Sequence, residues 1–240
     1  SVSRVRETCI SRDVENIMGQ PNLWGPPRYK GPNNDDPMYP WLESLKHSSW
    51  PSVGPEVSVL RNARMAFVKK IRKTAFRSVW KTQPLSNMQS ISGVDGKRFL
   101  DAMKLNTAKG APLSGTKREV VRDLPPELFP DFACPRDFEP EVYVEINRIL
   151  QCYANGERAY PLFKACLKDE PTKLDKDKVR VFQGAPTALQ FLVRKYYLPI
   201  ARMLSIVPLT SECAVGINAQ GPEWDQLAKH VKKFGEDRIL

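Results

Sequence analysis

A dense cluster of charge lies between residues 168 and 180, where five basic and four acidic side chains occur in thirteen positions. The flanking segments 162–167 and 179–182 predict two strands joined by a charged turn. If the strands pair as an antiparallel hairpin, Lys178 and Arg180 lie on one face, because side chains alternate along a strand. Two fixed cations at this spacing suit a triphosphate, since each neutralises separate oxygens. An exposed hairpin whose charges cancel one another explains the same composition, and composition alone favours it.

A second segment suited to phosphate binding covers residues 106–112, Asn-Thr-Ala-Lys-Gly-Ala-Pro. Small side chains and Gly110 allow a backbone to approach a ligand closely. Thr107 offers a hydroxyl and an N–H to a phosphate, and Lys109 adds a positive charge. The segment lacks the Gly-x-x-x-x-Gly-Lys-Ser/Thr pattern, which excludes a nucleotide-hydrolase P-loop. Taken alone, it fits an ordinary loop between helices equally well.

The elements that position these segments are mostly helices. The spacing of apolar residues predicts a short helix at 97–105. A second helix is predicted at about 140–153, because Asn155-Gly156 is a stop signal. A third is predicted to begin at Pro222 and to end at Gly235. Residues 186–206 predict a long, apolar, buried helix with a bend at Pro199.

A basic helix is predicted over residues 58–81. Its apolar residues recur at three- and four-residue spacing, and basic residues without a single acid surround them. Such a helix suits RNA or an acidic membrane surface, and a solvated face is the plainer interpretation. The apolar stripe consists of Leu60, Phe67, Val68, Ile71, Ala75 and Val79.

Residues 1–57 read as an arm without regular periodicity. Eight prolines between positions 21 and 55 leave room for a long helix only around residues 11–18. Aromatic residues are interleaved with these prolines, and we expect the arm to set their rings into another surface. The rings belong to Trp24, Tyr29, Tyr39, Trp41 and Trp50.

Composition sets the class of protein. The 240 residues are 41% hydrophobic and carry a net charge of +10, which favours a globular protein with a polyanionic partner. Five scattered cysteines and two histidines show no zinc-ligand spacing, so we expect free thiols in a reducing compartment. Neither a signal peptide nor a membrane span is apparent, which predicts a soluble intracellular protein.

Three stretches in order resemble the RNA-dependent RNA polymerases of picornavirus-like positive-strand RNA viruses. Gly93-Val94-Asp95-Gly96 through Leu105-Asn106-Thr107, Gly110 and Pro112 resembles the approach to motif G. Lys168-Asp169-Glu170 followed by Lys178-Val179-Arg180-Val181-Phe182 resembles motif F, and Ala214-Val215-Gly216 with Trp224 resembles the segment before motif A. The order and approximate spacing agree from about residue 84 to residue 240, and residues 1–57 match loosely.

The resemblance implies an α+β fold: the fingers region of a right-hand polymerase, helix-rich with a short β-hairpin, an incomplete palm and no thumb. It divides the chain into the arm, 1–57, which bridges fingers to thumb, and the fingers region, 58–240, with motif G near 106–112 and motif F near 168–182. It implies that Lys168, Lys178 and Arg180 bind the incoming triphosphate and that Thr107, Lys109 and Gly110 contact template RNA. The family has a second hydroxyl residue and an aromatic where this chain has Ala108 and Ala111, and a small residue where it has Lys109.

Catalysis in such polymerases uses Mg²⁺ or Mn²⁺ held by aspartates of motifs A and C. The resemblance places those motifs beyond Leu240, because no Gly-Asp-Asp is present and Gly235-Glu236-Asp237 reads as a helix stop. We therefore expect no catalytic residue, no metal site and no activity in the isolated chain. The implied partners are RNA, nucleoside triphosphates, the palm and thumb, and other viral replication proteins, in the host cytoplasm at replication complexes.

Two other classes of protein fit the same sequence. A stand-alone basic RNA-binding module would bind RNA tightly and specifically without any enzymatic parent, whereas a polymerase segment would bind weakly and with steep salt dependence. A structural protein that uses the aromatic arm to hold a partner would not bind RNA.

Overall fold

The computed structural model describes residues 3–29, 36–77, 83–176, 180–233 and 235, and at 74–77 it describes the backbone alone. The fold is helix-rich α+β, and its strands form small two-stranded sheets. The chain forms two compact units, one from residues 1–53 and 162–185 and the other from residues 54–161 and 186–240.

The described residues form eight α-helices, two 3₁₀ turns and six short strands. The helices are α1 (Ser11–Met18), α2 (Tyr39–Ser49), α3 (Val57–Arg77), α4 (Asn87–Ser92), α5 (Pro140–Ala154), α6 (Thr187–Ile206), α7 (Pro208–Ser211) and α8 (Pro222–Lys232), with 3₁₀ turns at Lys117–Val120 and Pro126–Leu128. The strands are β1 (Trp24–Gly25), β2 (Val121–Asp123), β3 (Arg136–Phe138), β4 (Lys164–Leu167), β5 (Thr172–Lys173) and β6 (Val181–Gly184).

The first unit contains the charged hairpin. Strands β4 and β6 pair antiparallel, with Leu167 opposite Val181, so the predicted hairpin is confirmed. A shorter ladder joins β1 to β5, with Gly25 opposite Thr172, which the sequence analysis did not foresee.

Helix α1 is confirmed, but the prediction that the rest of the arm has no room for a long helix is wrong, since α2 is longer than α1. Helix α2 spans 11 residues, and Pro40 lies in its first turn. A proline there loses no helical hydrogen bond, because the first N–H groups of a helix have no acceptor within it. Counting prolines without their position therefore missed this helix.

The core of the second unit lies where α5 and α6 pack over the β2–β3 ladder. Phe138 and Ile149 have no exposed surface, and Phe191 is 1% exposed. Helix α5 ends as predicted, with Asn155 after its last turn and Gly156 at a φ of 74°. That left-handed conformation suits glycine, which lacks a Cβ.

The helix predicted at 97–105 is wrong. The chain turns back on itself there, since the N–H of Val94 donates to the carbonyl of Leu100 at 2.9 Å and that of Met103 to Ile91 at 2.8 Å. Gly93, at a φ of 79°, permits the close approach, because a Cβ at that position would meet the backbone of residues 100–102. The helix forms earlier, as α4, which a reciprocal capping box between Ser86 and Gln89 begins.

Helices α6 and α3 are confirmed, but the prediction of a wholly buried α6 is wrong. Its buried residues lie in the first half, between Thr187 and Leu192, whereas Tyr197 is 63% exposed. Helix α3 leaves its apolar stripe open within the described part of its unit, where Leu60 is 58% exposed. Residues 78–82 of the predicted helix lie outside the described residues. Pro222 opens α8 as predicted, and α8 ends at Lys232.

All five cysteines are free thiols, as the sequence analysis predicts. No helix among the described residues is long and apolar enough to cross a membrane.

The aromatic core gives a prediction about stability. The Phe138 ring packs edge-to-face against Phe191, with the centroids 5.4 Å apart. We expect Phe138→Ala to lower the free energy of unfolding by about 3–5 kcal/mol, because a cavity replaces a ring. Urea denaturation of the chain measures this. Val144→Ala on the exposed side of α5 is the control, with an expected change of about 0.5 kcal/mol or less. Equal losses for the two variants would contradict the assignment of the core.

Candidate functional site

The charged hairpin brings Lys168 and Arg180 face to face. The N–H of Lys168 donates to the carbonyl of Arg180 at 2.8 Å, which extends the β4–β6 ladder by one pair. Side chains directly opposite each other on neighbouring strands share a face, and like charges at such positions repel. The hairpin therefore places two cations together at the end where its connecting segment begins.

Glu170 bridges these two cations. Its Oε2 lies 3.1 Å from Lys168 Nζ and 3.0 Å from Arg180 Nη1. Hydrogen bonds from Lys168 and then Arg180 hold the pKa of the Glu170 carboxyl below its usual range, so it is ionised at neutral pH. One negative charge thus meets two positive charges, and the three groups retain a net positive charge. The predicted mutual cancellation is partial.

The guanidinium of Arg180 is only partly engaged. Nη1 makes both contacts to Glu170, and no acceptor for Nε or Nη2 appears among the described residues. The side chain is 50% exposed, so this edge of the planar group is open to a ligand. Guanidinium donors on one edge match two oxygens of a phosphate.

The neighbouring residue, Asp169, ties the turn to the start of the described chain. Its carboxylate accepts from the Ser3 hydroxyl at 2.6 Å and from the N–H of Arg4 at 2.8 Å. Ser3 is 5% exposed, so this contact is shielded from solvent. Together with the β1–β5 ladder, it restrains the connection on which Glu170 is carried. The third cation predicted here, Lys178, lies outside the described residues.

In the second unit, the segment 106–112 is a firmly held loop. The hydroxyl of Thr107 donates to the carbonyl of Lys104 at 2.8 Å and accepts from the ammonium of Lys117 at 2.6 Å. Gly110 has a φ of 82°, a left-handed conformation that favours glycine. The Thr107 hydroxyl is thus engaged in hydrogen bonds with Lys104 and Lys117.

Lys109 is also engaged within its unit. Its ammonium lies 3.0 Å from Glu119 Oε2, and its side chain is 11% exposed. The N–H of Thr116 and the Lys109 ammonium lower the pKa of Glu119, which keeps the ion pair charged. The carbonyl of Lys109 accepts from both the N–H and the hydroxyl of Thr187, each at 2.8 Å, at the first turn of α6.

The profile of the viral RNA-dependent RNA polymerase family matches residues 40–239, most of the chain. The chain belongs to this family. The match runs through both segments described above, and it confirms the resemblance to these polymerases.

Relatives of this polymerase chain are virus polyproteins. It is 26% identical over 175 residues to the replicase polyprotein of Drosophila C virus, covering 71% of this chain and 10% of the polyprotein. It is 27% identical over 188 residues to the genome polyprotein of Deformed wing virus, covering 73% of this chain and 6% of the polyprotein. The chain therefore spans a tenth or less of the length of these relatives.

A solved structure shares the fold. The Sicinivirus 3Dpol RNA-dependent RNA polymerase aligns with a TM-score of 0.58 at 18% identity. The alignment covers 88% of this chain and 42% of that polymerase, so the helix-rich α+β fold matches part of a polymerase.

Membership of this polymerase family implies that the whole enzyme binds a divalent metal ion, which needs a group of carboxylate or similar ligands. Among the described residues, no three His, Cys, Asp or Glu side chains are grouped closely enough to hold an ion. Two-metal chemistry needs several carboxylates around each ion. The described residues of this polymerase chain therefore do not form a site for the metal.

Sequence reasoning missed three residues that organise the polymerase motifs. Glu170, Glu119 and Lys117 fix the orientation of residues that had been singled out for phosphate binding. Glu170 belongs to the Lys168-Asp169-Glu170 stretch that resembles motif F. The Thr116–Glu119 capping box is a local signal that could have identified Glu119. The burial of Lys117 depends on tertiary packing and has no local signal.

Proposed function

We propose that this chain supplies the nucleotide and template contacts of a viral RNA-directed RNA polymerase. In this proposal both units belong to the fingers of a right-hand polymerase, and residues 1–57 form the arm that joins fingers to thumb. The whole enzyme transfers ribonucleotides to an RNA 3′ end during genome replication, in the host cytoplasm at replication complexes. Its other partners are the palm, the thumb and further viral replication proteins.

The observation that carries the proposal is the Glu170 bridge between Lys168 and Arg180. It holds two cations on one face and leaves one guanidinium edge open. A triphosphate carries several negative charges, so its oxygens compete well for such cations. Lys178, two positions before Arg180, is proposed as a third contact.

The role of these residues is to bind and orient. Phosphoryl transfer is catalysed largely by positioning and by charge stabilisation, since most of the charge lies on the phosphate oxygens. Arg180 and Lys168 hold the triphosphate while the template base selects the nucleotide. Mg²⁺ or Mn²⁺, held by carboxylates elsewhere in the enzyme, would neutralise charge at the reacting phosphate.

Template binding is assigned to the loop at 106–112. Thr107, Lys109 and Gly110 lie on a backbone that the Lys117, Glu119 and Thr187 contacts hold in one shape. A prearranged backbone loses little conformational entropy when it binds a phosphate. The net charge of +10 adds attraction that is independent of base sequence.

Photo-crosslinking tests the two assignments separately. We expect an azido-substituted nucleoside triphosphate to label peptides that contain residues 168–180 in the polymerase that carries this chain. We expect a template with 4-thiouridine ahead of the copied base to label peptides that contain residues 106–112. Peptide mass spectrometry identifies the sites, and an excess of unmodified ligand should abolish both labels. Labels confined to other parts of the polymerase would refute the assignments.

A further inference from the structure

Lys117 is the one charged side chain that is buried among the described residues, with 3% of its surface exposed. It begins the 3₁₀ turn that follows the 106–112 loop. Burial of a charged group is unfavourable unless partners compensate for the lost water. The position of this ammonium therefore calls for a physical explanation.

The ammonium donates to two consecutive residues of the loop. Nζ lies 2.6 Å from Thr107 Oγ1 and 3.0 Å from the carbonyl oxygen of Ala108. The backbone N–H of Lys117 donates to the carbonyl of Thr107 at 2.9 Å. Thr107 is thus held through both its side chain and its backbone by one residue.

No carboxylate pairs with Lys117 within the described part of the chain. The nearby acid of the same turn, Glu119, forms its ion pair with Lys109 instead. Burial lowers the pKa of the Lys117 ammonium, as expected for a cation without a counter-charge. A positive charge without an ion-pair partner among the described residues consequently lies against Thr107 and Ala108.

The loop keeps an unused backbone donor at Ala108. The N–H of Ala108 has no acceptor among the described residues, and Ala108 is exposed. The Lys117 ammonium lies close to this donor, since it contacts Thr107 Oγ1 and the Ala108 carbonyl, and its positive charge makes the loop favourable for an anion. Packing alone would be served by methionine, whose side chain has similar length and no charge.

We propose that Lys117 is a positioning residue for template binding. It fixes the Thr107 hydroxyl and the Ala108 carbonyl, so that backbone N–H groups of the loop face a template phosphate. The hydroxyl of Thr107 acts as part of this scaffold rather than as the donor to RNA, since its proton is directed to the carbonyl of Lys104. This inference rests on the proposed function of the loop.

Steady-state kinetics of the polymerase that contains this chain tests the inference. We expect Lys117→Met to raise the KM for template about tenfold, as for loss of hydrogen bonds from a charged donor, and to leave the KM for nucleotide unchanged. Thr107→Val should act in the same direction, because it removes the acceptor while keeping the shape. Thr107→Ser, which restores the hydroxyl, should recover most of the loss.

The double variant decides whether Lys117 acts through Thr107. If it does, Lys117→Met combined with Thr107→Val raises the template KM no further than the larger single change. Lys104→Met removes the same charge from an exposed side chain two residues before the loop and keeps the backbone carbonyl that Thr107 contacts, and we expect a change of about twofold or less.

Several outcomes would overturn the inference. One is a template KM for Lys117→Met equal to that of the unsubstituted polymerase. Another is a template KM for the double variant that rises by the product of the two single-variant increases. Circular dichroism checks folding, and if Lys117→Met does not fold, a normal template KM for Thr107→Val is decisive against it. If the unsubstituted polymerase shows no template-dependent incorporation, the proposed function itself fails, which separates the two cases.

Discussion

Reversing the charge at Arg180 is expected to reduce kcat/KM for nucleotide by about a hundredfold or more in the polymerase that contains this chain, the order of effect seen when a donor to developing phosphate or oxyanion charge is removed. Arg180→Glu would place a carboxylate opposite Lys168 and beside Glu170, which removes the open guanidinium edge and adds repulsion toward a triphosphate. Single-nucleotide incorporation at varied nucleotide concentration measures the change.

The matched control is Lys176→Glu. Lys176 is an exposed lysine of the same charged segment, so the substitution makes the same change in net charge. Exposed charges in water interact weakly with a ligand at a distance, and we expect a loss of about threefold or less. A similar loss for both variants would mean that overall charge, rather than Arg180, determines nucleotide use.

A charge swap separates binding from folding. Arg180→Glu combined with Glu170→Arg restores an ion pair across the hairpin but moves the guanidinium to the other partner. If the pair only stabilises the hairpin, the swap recovers activity. If Arg180 contacts nucleotide, the swap remains as impaired as Arg180→Glu alone. Full recovery by the swap would therefore contradict the proposed role.

Local signals predicted the elements that begin or end at special residues. Asn155-Gly156 ended α5, and Pro222 opened α8, because caps and first-turn prolines act within a few residues of the chain. The hairpin pair β4–β6 was also predictable, since both strands flank one short charged connection.

Long-range contacts decided what local signals did not. Residues 97–105 have helical spacing, yet Phe99 adopts a φ of 67° and its ring lies where a Cβ on Gly216 would be. That contact joins segments more than a hundred residues apart, so no window of sequence contains it. The β1–β5 ladder was missed for the same reason, because each strand has two residues and no periodicity of its own.

The candidate site shows the same division. The cations at 168 and 180 could be predicted from the sequence, and their face-to-face placement follows once the register of the hairpin is fixed. The bridging role of Glu170 and the burial of Lys117 depend on which side chains the fold brings within 4 Å, which composition does not determine. Composition favoured cancellation of the charges, whereas the geometry pairs Glu170 with both cations and leaves one guanidinium edge open.

The described residues form no group of metal ligands, and we expect the isolated chain to be inert. We expect the 240-residue chain to show no nucleotide incorporation above background with Mg²⁺ or Mn²⁺ on a primed RNA template. The physical reason is that positioning residues act on the reaction only when the carboxylates that hold the metal ions are present. Single-nucleotide extension on a denaturing gel measures it.

The same polymerase with its remaining segments provides the positive control under identical conditions. A second control is RNA binding by the 240-residue chain, which should be weak and should fall steeply with salt, because its contacts are to phosphates. Incorporation by the chain alone would place catalytic carboxylates within these residues, and tight, salt-insensitive binding would favour a stand-alone RNA-binding module. Inactivity together with weak, salt-sensitive binding is the combination that a substrate-positioning part of a polymerase requires, since pyrophosphate must leave and the template must advance by one nucleotide after each addition.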